Sequence, residues 1–155
     1  MTTSTQPALT PAAQRILRAA GELYYDRGIN SVGMELVAEH AGTTKKTIYD
    51  RFGSKDGLVV AYLEARARRW RAHVEDHLAA SGLTGGDQVL GVLDALEAWL
   101  AAGTRGCGFV NAYAELSTQS TAATRAATAA AKPAGGGRGA SLVLSRTSTS
   151  TWGEW

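Results

Sequence analysis

The sequence predicts an all-α protein in three zones: a three-helix N-terminal domain, a partial second helical domain, and a low-complexity tail. Three observations carry that prediction. From Pro11 to Ala80 apolar residues recur at helical spacing in one segment after another. Residues that start or stop helices stand at the joints, among them Thr10-Pro11, Gly28, Gly42, Thr44, Ser54 and Gly82. Past Leu116 the texture changes: 25 of the 36 residues from Ser120 to Trp155 are Ala, Gly, Ser or Thr, too few apolar groups to offset the entropy of ordering the chain.

The first helix opens at Thr10, whose hydroxyl can accept from a first-turn amide, with Pro11 at the position that needs no amide donor. Ile16, Leu17, Ala20, Leu23 and Tyr24 form its apolar face, and Gly28 ends it. Met34, Val37, Ala38 and Ala41 mark a short second helix that Gly33 can cap and that Gly42 closes by taking the left-handed conformation. Thr44 then caps a third, Lys45 to Phe52, with Ile48 and Phe52 on one side. Ser54 caps a long fourth helix to about Leu78, with Asp56 placed where the helix dipole favours a negative charge and Leu58, Tyr62, Ala65, Arg69 and Ala72 on one face. After the break at Gly82 to Gly86, residues 87–102 read as an amphipathic helix (Val89, Leu90, Leu93, Leu96, Leu100 and Trp99). A shorter one runs from Phe109 to about Leu116.

At 155 residues, 45% hydrophobic and 19% charged, the chain has room for one compact domain, or a small module with a second half-domain, and not for a multidomain enzyme. Sixteen Lys and Arg against 14 Asp and Glu leave a formal charge of +2, so any nucleic-acid surface must be local. A single Cys107 and three His exclude an internal disulfide and a zinc finger or ribbon, and point to a reducing, cytoplasmic compartment. No apolar run approaches the roughly 18 to 20 residues of a membrane span, and the polar 1–9 arm has neither the charged nor the apolar region of a signal peptide, so no membrane partner is expected.

The informative stretch is Met34 to Lys55, MELVAEHAGTTKKTIYDRFGSK. Two short helices joined through Gly42, Thr43 and Thr44 have the turn length of a helix-turn-helix, in which the second helix lies in the DNA major groove. With Ile48 and Phe52 turned inward, Lys45, Lys46, Thr47, Tyr49 and Asp50 face outward, supplying cations, a hydroxyl and a phenol of the kind that grip phosphates and read base edges. Free amides at the start of this helix, and of the next near Lys55, add anion sites. Spacing alone fits an ordinary helical hairpin with solvated lysines equally well.

The order Val37-Ala38, Ala41-Gly42, Thr44-Lys45, Thr47-Ile48-Tyr49, Phe52 and Ser54-Lys55 resembles the DNA-binding domain of TetR-family transcriptional regulators, and the upstream AAGELYYDRG (Ala19 to Gly28) is similar to the first helix of that family. The resemblance covers about Thr10 to Leu78 and continues weakly through Arg105 to Glu115. It implies an all-helical regulator that binds a palindromic double-stranded operator as a homodimer and lets go when a small-molecule inducer enters a C-terminal pocket, with no cofactor. Residues 10–54 would be the helix-turn-helix domain and 55–118 the partial ligand and dimerisation domain. By position, Thr43, Thr44, Lys45, Lys46, Thr47, Tyr49, Arg51 and Lys55 would contact DNA, Lys46 and Thr47 at bases and Thr44, Tyr49 and Lys55 chiefly at phosphates. Lys46 stands where many TetR-family proteins have Gly.

Trp70, Trp99, Phe109, Asn111 and Tyr113 are candidates for an inducer cavity, since pockets combine aromatic walls with a few polar groups; the same spacing suits plain core. His73 and His77 lie four apart but lack a third ligand, and Cys107 in its glycine-flanked link reads as a small buried residue. No nucleophile elbow, phosphate-binding loop or paired-His zinc motif is present, which leaves an enzyme without support; a helical protein-interaction module, or a truncated regulator without dimer helices, is the alternative. Where TetR-type proteins continue with long amphipathic helices, residues 119–155 supply Ala, Thr and Gly and are expected to be disordered. A shift of reading frame in a GC-rich gene would produce that composition.

Overall fold

The computed structural model of the chain describes residues 10–101, 103–117 and 123–125, so the expectations for the 1–9 arm, and for all but three residues of the tail, lie outside the described residues. Every regular element among them is helical: α1 (Pro11–Arg27), α2 (Met34–His40), α3 (Lys45–Phe52), α4 (Lys55–Ser81), α5 (Gln88–Ala101) and α6 (Gly108–Leu116), with a 3-10 turn at Gly85–Asp87 before α5. The all-α class is therefore as expected, with every helix boundary within three residues of its predicted place.

Local chemistry explains the starts. Thr10 Oγ1 accepts from Ala13 N at 3.3 Å with Pro11 in the first turn, and Ser54 Oγ accepts from Gly57 N at 2.9 Å. The predicted face of α4 is only half right. Leu58 and Tyr62 are buried as expected, but Ala65 is half-buried and Arg69 and Ala72 are exposed; Val59, Leu63, Ala67 and Val74 are the other buried positions. The cause is the length of α4: over 27 residues it packs first on α1 and α3 and then on α5, so its buried stripe moves around the helix.

The core joins α1, α2, α3 and the first half of α4, with Ala112 and Leu116 of α6 packed into it. Ile16, Val32, Val37, Ile48, Leu58, Val59 and Leu63 are all almost completely sequestered, and Phe52 packs on them from the edge. At its top the rings of Tyr24 and Tyr62 meet edge to face, centroids 5.5 Å apart, and burial, with Tyr62 alongside, pushes the Tyr24 phenol well above its ordinary pKa.

The seam of α5 differs from the predicted one. Its buried residues are Gly91 and Ala95, while Leu90 and Leu93 stay 61% and 54% exposed. Close approach decides this: a Cβ on Gly91 would lie 2.7 Å from Leu78, so α5 presents its smallest residues to α4 and turns two large ones outward.

Long-range bonds fasten α6 and the link before it to α1. Arg105 Nη1 donates to the carbonyls of Tyr25 and Asp26 at 3.1 and 2.7 Å, occupying acceptors that the end of α1 leaves open. Tyr25 Oη accepts from Arg105 N at 2.9 Å and donates to Gly106 O at 3.1 Å. Asn30, in the α1–α2 link, donates from its backbone to Glu115 Oε2 at 2.9 Å and from its amide to Glu115 O at 3.1 Å.

Candidate nucleic-acid interface

The turn between α2 and α3 is built by its own sequence. Gly42 takes φ +60, a conformation that costs a side-chain-bearing residue energy, and this lets Gly42 N donate to Glu39 O at 3.1 Å and Thr43 N to Ala38 O at 2.9 Å. These two bonds are the paired closure of a Schellman ending, which satisfies the last carbonyls of α2 while reversing the chain. Thr44, in extended conformation, starts α3 immediately: its Oγ1 accepts from Thr47 N at 3.2 Å and lies 2.9 Å from Thr47 Oγ1.

This turn presents α3 with Ile48 fully buried and the opposite side open. Lys45, Lys46, Asp50 and Arg51 are exposed, Thr47 is half-buried, and the Tyr49 ring is 44% exposed. Thr43 and Thr44 lead into the helix, and Lys55, half-buried, is the first residue of α4. The eight residues expected to meet DNA thus stand in or beside one short element and the helix start that follows it.

Several of them are already engaged. Lys45 forms an ion pair with Glu35 on α2, which holds the Glu35 carboxyl below its ordinary pKa and the Lys45 ammonium above its own. Lys46 Nζ bonds Asp50 Oδ2 at 2.8 Å across one helical turn. Arg51 Nη1 donates to Thr10 Oγ1 at 2.7 Å, tying the end of α3 to the cap of α1. Asp50 faced outward in the sequence pattern but carried no role there; its spacing of four from Lys46 was the available signal. The Arg51–Thr10 tie, across 41 residues, had none.

The residues proposed from sequence for an inducer are placed unevenly. Trp70 and Trp99 meet edge to face at 5.6 Å, and the Arg66 guanidinium lies over Trp99, Phe109 and Tyr25 at 5.6, 5.6 and 5.3 Å from their ring centres. Asn111 instead donates to Arg105 O at 2.9 Å within the link, and Tyr113 is 56% exposed. An open cleft of about 630 Å3 lies between α1 and α4 and is lined by none of the five. His73 Nε2 donates to Ala95 O at 2.9 Å, bracing α4 on α5, and no group of three metal-ligating side chains occurs among the described residues. Nor is any helix among them long and apolar enough to cross a membrane.

The family model described as bacterial regulatory proteins, tetR family, matches residues 16–62, the span from α1 into α4. An uncharacterized helix-turn-helix-type transcriptional regulator of Mycobacterium tuberculosis is 41% identical over 58 residues, which are 37% of this chain and 29% of that protein. The helix-turn-helix-type transcriptional activator FasR of Mycolicibacterium smegmatis is 40% identical over 50 residues, 32% of this chain and 23% of that one. The chain thus spans under a third of the curated relatives it matches. Among solved structures, a TetR-family transcriptional regulator from Streptomyces coelicolor aligns with TM-score 0.69 and 34% identity, over 77% of this chain and 63% of that one. A TetR-type transcriptional regulator from Streptomyces avermitilis aligns with TM-score 0.60 and 28% identity, over 79% and 66%. The motif order, the capped turn and these likenesses fall on the same residues, and the stretch 16–62 is a helix-turn-helix domain of the TetR type found in bacterial regulatory proteins.

Proposed function

We propose that this protein regulates transcription by docking α3 in the major groove of a palindromic operator, acts there as a repressor, and is released by a small molecule. The observation that supports this best is α3 itself: one side is locked into the core by Ile48, and the other offers Lys45, Lys46, Thr47 and Tyr49 to solvent behind a capped N-terminus. In this reading Lys46 and Thr47 contact bases. Thr43, Thr44, Lys45, Tyr49, Arg51 and Lys55 hold phosphates, with the amides at the starts of α3 and α4 assisting. Arg51 reaches a phosphate only by sharing or leaving the Thr10 hydroxyl.

Residues 10–54 are then the DNA-binding domain and 55–118 the part that senses and dimerises. Trp70, Trp99, Phe109, Asn111 and Tyr113 are assigned to effector binding, with Arg66 among the rings as the polar group. A homodimer is assigned because one helix in one groove reads only a few base pairs; two half-sites about one helical turn apart bring specific affinity into a useful range. Leu90 with Leu93 on α5, and Val110 with Tyr113 on α6, are exposed apolar pairs available for that contact.

The test is selection of bound fragments from the source genome by the purified protein, followed by titration of the best fragment at several salt concentrations. The expected result is a palindrome bound with a steep salt dependence. Tyr49→Ala should weaken binding to all sequences, and Lys55→Ala should flatten the slope of log K against log salt by about 0.9, the share of one phosphate contact. An unchanged slope for Lys55→Ala removes that assignment. Placing the selected palindrome upstream of a reporter decides repression against activation.

A further inference from the structure

Asp50 is the one acid on α3 and sits on the side that the regulator reading turns to DNA. An exposed carboxylate there meets a wall of phosphates and gains nothing from them. The groups in the major groove that welcome it are the amine donors of cytosine and adenine; beside cytosine N4 stand two acceptors, guanine O6 and N7, which together can take a neighbouring ammonium, whereas adenine N7 stands alone beside its own amine. Lys46, one turn earlier, is bonded to Asp50 at 2.8 Å, with side chains 84% and 60% exposed. An ion pair this exposed is weakly held, so base edges can replace either partner at little cost.

The two groups also match one base pair. Guanine presents O6 and N7 acceptors beside the cytosine amine, and an ammonium beside a carboxylate presents the complement. The pair is neutral as a unit, so it adds nothing to the general attraction between a cationic surface and DNA. Lys45 differs: its partner Glu35 belongs to α2, which makes that bond a brace between the two helices of the motif.

We propose that Lys46 and Asp50 act as a base-reading couple for a G·C pair, and that Asp50 is a specificity-determining residue. It contributes by penalising sites that lack an amine donor at its position, and it keeps Lys46 from settling on phosphates elsewhere. This rests on the reading of α3 as the DNA-contacting helix.

The experiment is selection from a random duplex library with the full chain and with Asp50→Ala and Asp50→Asn, alongside affinity for a non-specific duplex at several salt concentrations. Wild type should select a G·C pair at one position of each half-site. Asp50→Ala should lose about tenfold of that preference at that position alone, and should bind non-specific DNA more tightly, with a salt slope steeper by about 0.9 as Lys46 gains a phosphate. Asp50→Asn should move the preference towards A·T, because an amide pairs with adenine. A merely structural role would weaken all sites together and leave the base preference in place. A selected sequence that Asp50→Ala leaves unchanged at every position overturns the couple and spares the regulator reading; absence of DNA binding by the wild type overturns both.

Discussion

The α2–turn–α3 unit and the α5–α6 region are both short helices packed on α4, yet they are held in opposite ways. In the first, large side chains go inside: Val37 and Ile48 are wholly buried, and the turn between the helices is closed by backbone bonds and a threonine cap. In the second the buried residues are mostly small: Gly91, Ala95, Gly108 and Ala112 are joined by one large side chain, Leu116, while Leu90, Leu93, Val110 and Tyr113 are exposed. Burying a leucine-sized side chain contributes about 2 kcal/mol and burying alanine far less. The first region therefore generates its own stability. The second leans on α4 through α5, on Ala112 and Leu116 in the core, and on polar ties from α6 and its link to α1 and the α1–α2 link, and presents Leu90, Leu93, Val110 and Tyr113 to whatever lies beyond.

That contrast can be broken by substitution. The largest effect is expected from Ile48→Ala, which opens a cavity in a core with no slack and should cost about 2–5 kcal/mol, read as a lowered denaturant midpoint and loss of DNA binding together. Thr44→Ala should cost about 1 kcal/mol, the worth of one cap, and should weaken DNA binding because the start of α3 frays. Leu93→Ser on α5 should change the stability of an isolated chain by less than about 0.5 kcal/mol; a larger loss that grows with protein concentration would show that this face is buried in an assembly.

The smallest effect expected is that of pH on the Glu35–Lys45 brace. The Glu35 carboxyl is depressed, so what it contributes is present above its unfolded pKa and is lost as pH falls through the lowered folded value. The Lys45 ammonium is raised, so its contribution persists until pH climbs through that higher value. Between those limits the brace does not titrate. Glu35→Gln and the wild type should therefore differ by a constant amount in melting series across the neutral range, and a difference that changes there would place another titrating group beside the pair.

Legibility followed the range of the forces involved. The caps at Thr10, Thr44 and Ser54, the reversal at Gly42 and the limits of α3 could be read because each depends on residues within five of one another. The face of α5 could not, because an amphipathic pattern marks which residues are apolar and not which of them a neighbour approaches. The contact of Gly91 with Leu78 made that choice. The eight residues proposed for DNA contact follow as a set from the order of motif residues, whereas the commitment of Arg51 to Thr10 required the two ends of the domain to be brought together. The aromatic set divided for the same reason: helical spacing placed Trp99 and Phe109 near Arg66 no better than it placed Tyr113 on the surface.

The ties from Arg105 to Tyr25 and from Glu115 to Asn30 span 80 and 85 residues, and this fixes an order of events during synthesis. As the chain leaves the ribosome, α1, α2, α3 and the start of α4 emerge first with most of the core among them, while Ala112 and Leu116 of α6, which belong to the same cluster, come later. The clasp on the α1–α2 link arrives only when α6 is made. Until then part of the core formed by α1 to α4 lacks its cover from α6, and a chain that stops within α5 never gains it.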